Sequence, residues 1–394
     1  MIYLDNNATT RVAPEVFDAM RPYLNETYGN PSSAHSLGRQ MKAAVEQARE
    51  QVAKLVGASE AGEIVFTSCG SESDNWAIGG FLEQNPTRRH IITTRVEHEA
   101  VRNLCAHLAE LGCEVTWLEV DGSGELNLDD LRPALRRDTG IVSIMLANNE
   151  TGVLFPIEKI GKIIRENSDA VFHVDGVQAV GKIPINLKEL DVDLFALSGH
   201  KFHAPQGIGA LYVREGVKLP SFIIGGGQER GRRAGTSAVP SIVGLGAACE
   251  LARTFDEHER LETLRNKLED EILGTIPNAR LNGTTDRAKR LPNTANISFE
   301  YVEGENILVH LDHAGICVST GSACHSTTKE SSPTLRAMNV PYSAAQGSIR
   351  FSLGRYNTEA EIDQTLRVLP EIIGKLVEMS PYEKELKALK VSQQ

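Results

Sequence analysis

Between residues 63 and 213 the chain alternates short, almost wholly apolar runs with longer helix-patterned stretches, and this alternation leaves few folds open. The runs are EIVFTS (63 to 68), HIITTRV, EVTWLEV, GIVSIMLA, AVFHVD and LFALS; the stretches between them include 99 to 111 and 156 to 166. A strand buried on both faces reads as a continuous apolar run, and strands separated by helices return parallel to one another. The predicted class is therefore α/β, a largely parallel sheet covered by helices on both faces. GIGALYV (207 to 213) follows LFALS too soon for a helical crossover. It is predicted to pair antiparallel with a neighbour, which makes the sheet mixed.

Around this sheet, Leu37, Met41, Val45, Ala48, Val52 and Leu55 recur at steps of three and four, the stripe of a helix packed by one face. From about residue 238 a long helical pattern runs through LRNKLEDEIL. Strand patterns TANISFEY and SIRFSLG and helical patterns at 304 to 314 and 358 to 378 follow. With 394 residues the chain exceeds what one core usually serves. The expected division is a large domain over 14–256 and a smaller α+β domain built from 1–13 and 257–394, joined by a long helix. No internal repeat or low-complexity tract interrupts it.

A net charge of −11 argues against a nucleic-acid or membrane-surface binder, which would present a basic face. The one basic cluster, RGRR (230 to 233), lies between GGGQE and AGTS and reads as a local anion site or loop. The six cysteines, at 69, 105, 113, 249, 317 and 324, form no C-x-x-C pair, so neither a zinc ribbon nor a disulfide framework is indicated. Reduced thiols in a cytoplasm fit better. MIYLDNNATT has no signal-peptide pattern, and runs such as IVSIMLA fall far short of the ~18 apolar residues of a membrane span. A soluble, unprocessed protein is expected.

Ligands of open α/β sheets bind beyond the carboxyl ends of the strands, which singles out Ser71, His98, Asn148, Asp175 and Lys201. Lys201, in LFALSGHKFHAPQG, sits in a Gly-flanked turn just after a buried strand. Partial desolvation there yields a nucleophilic amine suited to a Schiff base with an aldehyde cofactor; a strand-end lysine reaching water is the plainer alternative. Asp175 ends VFHVD, where a carboxylate can accept from a protonated pyridine nitrogen or merely cap the next turn, and Gln178 lies three residues on. In TSCGSESDNWAI, Gly70 marks a strand-to-helix turn. Ser71 and Asp74 resemble a capping box there, and the backbone amides with the Ser71 hydroxyl can hold a phosphate. Neither a Walker loop nor G-x-G-x-x-G is present.

His98, after ITTRVE, can stack on a planar ring or move protons, or be structural. His200 and His203 have H-x-x-H spacing but flank a lysine and lack a local third ligand, which weighs against a metal site. Arg350 interrupts an apolar strand pattern in SIRFSLG. It suits a substrate carboxylate, with a buried ion pair as the alternative. Cys324, in VSTGSACHS, is by burial habit filler, yet the polar, aperiodic HSTTKESSP after it suits a loop that swings.

Taken in order from residue 3 to about 356, YLDNNATT, GNPSSAHSLG, TSCGSESDN, EHEAV, ANNETG, HVDGVQAVGKI, SGHKFHAP, ERGRRAGT, LPNTANISF, STGSACHS and GSIRFSLGRY resemble a cysteine desulfurase. The likeness is to the NifS and IscS branch of the class V aminotransferase-like enzymes. GHKFHAP, TSCGSESDN and NVPYSAAQGSIRFSL resemble the NifS type more closely.

The resemblance implies a fold-type I enzyme with pyridoxal 5'-phosphate. Lys201 would carry the Schiff base, Asp175 face the pyridine nitrogen, and Gln178 and Asn148 lie near the phenolic oxygen. His98 would stack on the ring and transfer protons. Gly70, Ser71, Ser198 and His200 would bind the phosphate, with Thr236 reaching in from the second subunit of a homodimer. Arg350, assisted by Asn7, would hold the carboxylate of L-cysteine, and Cys324 would take its sulfur as a persulfide, leaving L-alanine. Attack requires a thiolate, for which His98 is the expected base.

An iron-sulfur scaffold protein of the NifU/IscU type would accept the sulfur, with Cys324 as a transient iron-sulfur ligand shared with it, in nitrogenase maturation. His325, Ala204 and Ser71 depart from the family's frequent choices. The competing readings are a housekeeping IscS-type enzyme, a selenocysteine lyase, and a non-enzymatic sulfur carrier in which Lys201 is structural. Cys69, at the strand-helix turn, is the competing thiol and reads as structural.

Overall fold

In the computed structural model, which describes residues 1–254, 257–320 and 331–380, each apolar run becomes a strand. After a short N-terminal strand β1 (Ile2–Tyr3) come β2 (Ile64–Thr67), β3 (His90–Thr94), β4 (Glu114–Leu118), β5 (Thr139–Ser143), β6 (Val171–Asp175), β7 (Leu194–Ser198) and β8 (Gly209–Val213). Strands β2 to β8 form one sheet in the order β2-β8-β7-β6-β5-β3-β4. The pairs β4/β3, β3/β5, β5/β6 and β6/β7 are parallel. β8 runs antiparallel to both β7 and β2, so the sheet is mixed, as the short loop before GIGALYV predicts. Every residue of β2, β3, β5, β7 and β8 is buried, whereas the edge strand β4 exposes Glu114. Burial on both faces is why these strands read as unbroken apolar runs rather than as alternation.

Because β8 alone is reversed, the carboxyl ends of β2, β3, β5, β6 and β7 share one edge of the sheet. Turns 68–71, 95–98, 144–149, 176–178 and 199–201 all leave from that edge.

The helix Ser36–Val56 buries Met41, Val45, Ala48, Val52 and Leu55 as its pattern predicts, but Leu37 is 39% exposed, so the buried stripe begins at Met41. The long helix expected from residue 238 is instead two, Val239–Ala252 and His258–Thr275. The first packs in the large core against helices Pro14–Asn25 and Ser36–Val56; the second packs against Glu359–Met379 in a separate core. One straight helix cannot serve two cores.

That second core gathers Leu4, Leu264, Leu268, Ile297, Phe299, Ile349, Phe351 and Ile373. It covers an antiparallel sheet ordered β12-β13-β10-β9, built from β9 (Ala279–Leu281), β10 (Thr294–Phe299), β12 (Ser319–Thr320) and β13 (Ser348–Ser352). β1 pairs in parallel with β11 (Ile316–Cys317), and Asp5 bridges to Ser352. The first residues of the chain are thereby fixed to the second core, and Asn6 to Thr10 run from there to the carboxyl edge of the large sheet. No helix among the described residues is long and apolar enough to cross a membrane.

Candidate active site

At the carboxyl edge opens a cleft of about 190 Å³, lined among others by Gly70, Ser71, His98, Asp175, Gln178, Ser198, His200 and Lys201. Eight of the residues picked from the sequence thus meet in one place, drawn from four strand ends, β2, β3, β6 and β7.

Lys201 lies in the single 3-10 turn Gly199–Lys201 that follows β7. Its Nζ donates to the backbone carbonyls of Asn7, at 2.6 Å, and Ala8, at 2.9 Å. Burial, then the charge of Arg350, pulls its amine down to about 8 against the opposing carboxylates of Asp175 and Asp5. Lys201 is therefore a desolvated amine with neutral oxygen partners, the condition for nucleophilic use.

Asp175 is buried at the end of β6, and its Oδ1 accepts from Val177 N at 2.9 Å, so it does cap the turn. Burial raises its carboxyl, while His98, the Val177 amide and Lys201 oppose the shift. A cation placed in the cleft would complete the compensation of this buried acid. His98 begins the helix Glu99–Glu110, and its Nδ1 accepts from Ala100 N at 3.1 Å. In the neutral ring that contact leaves the proton on Nε2.

At the turn after β2 the expected capping box is absent. Cys69 is the N-cap of Gly70–Asn75 with no side-chain cap bond, and Asp74 points inward. Glu72 takes the capping part instead: Oε2 accepts from Ser68 N at 2.8 Å, and Arg233 donates to both of its oxygens. A Cβ on Gly70 would stand 2.6 Å from Val177 Cγ2, so only glycine fits where the chain passes β6. Beside it, Ser198 Oγ is buried without a hydrogen-bond partner. His200, its Nδ1 3.1 Å from Thr9 Oγ1, is pushed down to about 4 by burial and then by Lys201 and Lys182. The histidine is thus neutral beside the cleft.

Four predicted residues lie elsewhere. Asn148 does not line the cleft: its Nδ2 donates to Val96 O at 3.0 Å and its Oδ1 accepts from Glu150 N, Thr151 N and Thr151 Oγ1. Its neighbour Asn149 takes the place in the lining. Arg350 holds the ion-pair geometry that was its alternative, with Nη2 donating to Asp5 Oδ1 at 2.9 Å and Nη1 to Asn149 O at 3.0 Å. Asn7 is a hub behind the cleft rather than part of its wall. Thr236 lines a separate groove with Phe66, Ser68, Gly207 and Arg233. Cys324 lies outside the described residues, as does His325.

Sequence reasoning missed two buried ionisable groups, Glu97 and Lys182, and gave a third, Asp74, a capping part that it does not play. Asp74 lines the cleft, with Oδ1 3.4 Å from His173 Nε2; burial raises its carboxyl well above the usual range and pushes His173 down to about 3. Glu97 accepts from Thr94 Oγ1 at 2.7 Å and Met145 N at 3.1 Å, and burial lifts it to about 8. Lys182 is buried behind Gln178, four residues earlier in the chain; a lysine inside the apolar run AVGKI was its signal. No three His, Cys, Asp or Glu among the described residues converge on a metal-binding geometry.

The chain belongs to the aminotransferase class-V family, whose model it matches over residues 2–365. Within that family, which works with pyridoxal 5'-phosphate, it falls among the cysteine desulfurases of the NifS/IscS type. A cysteine desulfurase of Trichormus azollae is 56% identical over 387 residues, covering 98% of this chain and 96% of that protein. Cysteine desulfurase IscS of Dictyoglomus turgidum (strain DSM 6724 / Z-1310) is 50% identical over 394 residues, with 99% of each covered. The solved structure of a NifS-like protein superposes with a TM-score of 0.89 at 41% identity, over 95% of this chain and 100% of that one. The fold is that of the fold-type I pyridoxal phosphate enzymes.

The cleft suits that cofactor. It offers an amine for the aldehyde, a buried carboxylate for the ring nitrogen, an imidazole beside the ring, and an unpartnered hydroxyl next to a turn where only glycine fits.

Proposed function

We propose that the chain is a pyridoxal phosphate-dependent cysteine desulfurase that converts L-cysteine to L-alanine and collects the sulfur on Cys324. The observation that carries this reading is Lys201: a half-buried amine held down to about 8, sharing one cleft with Asp175, His98 and the unpartnered Ser198 hydroxyl. Bound cofactor supplies an electron sink that makes the substrate's α-proton labile and its carbon-sulfur bond breakable.

The chain's own groups do the rest. Lys201 would anchor the aldehyde and, once released, could take and return the α-proton. Asp175 keeps the ring nitrogen protonated. Ser71, Ser198, His200 and the Gly70 turn hold the phosphate, with Thr236 given to the partner subunit of a homodimer. His98 stacks on the ring and takes the thiol proton from Cys324, because only the thiolate attacks sulfur. Arg350, which already pairs with the carboxylate of Asp5, would hold the substrate's carboxylate with the assistance of Asn7. The family resemblance, and not the described geometry, assigns Cys324 its part.

The second core, drawn from residues 2–4 and 261–376, supports reading 1–13 with 257–394 as a small domain beside a cofactor domain of 14–256, although Leu291, Leu335, Met338 and Val340 pack into the large core. Sulfur on Cys324 is open to attack by an acceptor thiol, which fits delivery to an iron-sulfur scaffold of the NifU/IscU type in the cytoplasm, with Cys324 a transient cluster ligand. NifS-like motifs favour nitrogenase maturation as the destination, and the similar IscS names the housekeeping alternative.

The test is turnover of L-cysteine by the purified protein, with alanine and enzyme-bound sulfur measured together. Alanine and transferable sulfur in equal amounts are expected; a colourless protein that yields neither overturns the reading. L-selenocysteine as a second substrate separates a lyase specialised for selenium, which would leave L-cysteine unused.

A further inference from the structure

Lys182 is buried, yet it stands outside the cofactor cleft, in a rear cavity that it shares with Lys201, Asn6, Asn293 and Gly354. Its Nζ donates to Gln178 Oε1 and to Asn7 Oδ1, both at 2.8 Å. Neither acceptor is charged, and burial, then the charges of Lys201 and Arg350, pulls its amine well below the ordinary lysine value. His200 and His203 also feel its charge, and Glu257, His258 and Arg355 stand around the same cavity. Burying an amine against two neutral amides is costly in either protonation state, so the position asks for a reason beyond packing.

The reason lies in the polarity of lysine as a hydrogen-bonding group. A lysine amine has at least two N–H donors in either protonation state, and here two are directed at amide oxygens, whereas a glutamine amide can present either end. With Lys182 donating, Oε1 faces the amine, which turns the Gln178 NH2 the other way. One of its N–H bonds goes to Asn7 O at 3.0 Å, and the other is left for the cleft that Gln178 lines. Asn7 is fixed likewise: its Oδ1 accepts from Lys182 and, at 3.2 Å, from Asn293 Nδ2, so its own Nδ2 faces Thr294 Oγ1 at 2.9 Å. The Asn7 carbonyl that receives Gln178 also receives Lys201 Nζ. Asn148, the other amide expected near the ring's phenolic oxygen, is consumed by Val96, Glu150 and Thr151. Gln178 is left as the side-chain amide of that pair that can serve the ring.

We propose that Lys182 is a positioning residue: by donating to Gln178 Oε1 and Asn7 Oδ1 it fixes Gln178 as a hydrogen-bond donor, never an acceptor, to the anionic ring oxygen of the cofactor bound at Lys201. The inference rests on the reading of the cleft as a pyridoxal phosphate site. It adds a residue that never touches the cofactor but decides which end of an amide the cofactor meets.

The experiment is a visible-absorbance pH titration of the purified holoenzyme, with cofactor dissociation constants measured by the same band. Lys182→Met keeps the length of the side chain but frees Gln178 to turn. The ring oxygen then loses a donor and holds the neighbouring Lys201-linked proton more tightly. The expected result is an upward shift of the chromophore's titration by about one unit and roughly tenfold weaker cofactor binding, the size of one charge-assisted hydrogen bond. Lys182→Arg, which is also a pure donor, should restore most of both. If Lys182→Met does not fold, Gln178→Glu probes the same contact from the other side, because an ionised carboxylate has no N–H for the ring oxygen; the same upward shift is expected.

An unchanged titration in Lys182→Met, or in Gln178→Glu where that variant stands in, overturns the proposal. So does a shift that Lys182→Arg leaves uncorrected. Failure of the underlying reading looks different: the unsubstituted protein would then show no visible band to titrate.

Discussion

Arg350 Nη2 donates to Asp5 Oδ1 across 2.9 Å, joining the first strand-bearing segment of the chain to the last strand of the second core. The same guanidinium reaches Asn149 O, whose residue lines the cleft, so a substrate carboxylate would approach an arginine already aimed at oxygen. Arg350→Ala is expected to raise KM for L-cysteine by roughly ten- to a hundredfold with a smaller change in kcat, the loss of charge-assisted bonds worth about 1.5–3 kcal/mol. An unchanged KM in steady-state kinetics would return Arg350 to a purely structural pair with Asp5.

Lys201→Ala is expected to abolish the yellow colour and lower turnover by at least about a hundredfold, since both the anchor and the proton carrier are lost. Absorbance of the purified variant and alanine release measure the two effects separately. A normal rate would remove Lys201 from the chemistry.

The pH at which Lys201 reacts is a separate expectation. With the amine at about 8, roughly one in ten molecules carries a neutral Lys201 at pH 7, against about one in a few thousand for an unperturbed lysine. Reductive methylation of the cofactor-free protein, followed by peptide mapping, should label Lys201 first, with a rate that rises through pH 8 and levels above it. Labelling no faster than that of surface lysines would contradict the burial argument.

Cys324→Ala is expected to keep the colour and the fold while forming no enzyme-bound persulfide. Full desulfurase activity in that variant would transfer the sulfur-accepting role elsewhere, and Cys69, which lines the cleft, is the thiol to examine next.

Glu97 ties pH to stability. Its carboxyl is lifted to about 8 in the folded protein, so between the unfolded value near 4.3 and about 8 the folded state holds a proton that the unfolded state has lost. Its contribution to stability is complete below the unfolded pKa and lost as pH rises through about 8. Thermal unfolding followed from pH 5 to 9 should therefore show a decline that Glu97→Gln flattens, because the amide keeps the shape without the ionisation. Parallel profiles for the two proteins would show that another group sets the slope.

Much of the large domain could be read from the chain because its strands are buried on both faces and so appear as apolar runs of the right length. The reversed strand β8 followed from the length of one loop. Lys201 and Asp175 were legible for a related reason: ionisable residues directly after such runs must lie at the sheet's carboxyl edge. The break between Val239–Ala252 and His258–Thr275 was not legible, since the first is apolar nearly all round and only its packing into a different core separates it from the second.

By itself the sequence determined the sheet, the edge at which its loops gather, and the residue types available there. Only the tertiary structure decided how those residues are used. Asn148 and Asn149 are adjacent, yet one is tied into its own turn and the other faces the cleft. Lys182 became the partner of Gln178 because the hydrogen-bonded turns after β6 brought it behind, and Asn7 met both across the fold from the first residues of the chain. Periodicity reports which face of an element is buried. The direction of a hydrogen bond depends on which donor arrives opposite, and that is settled only when distant segments pack.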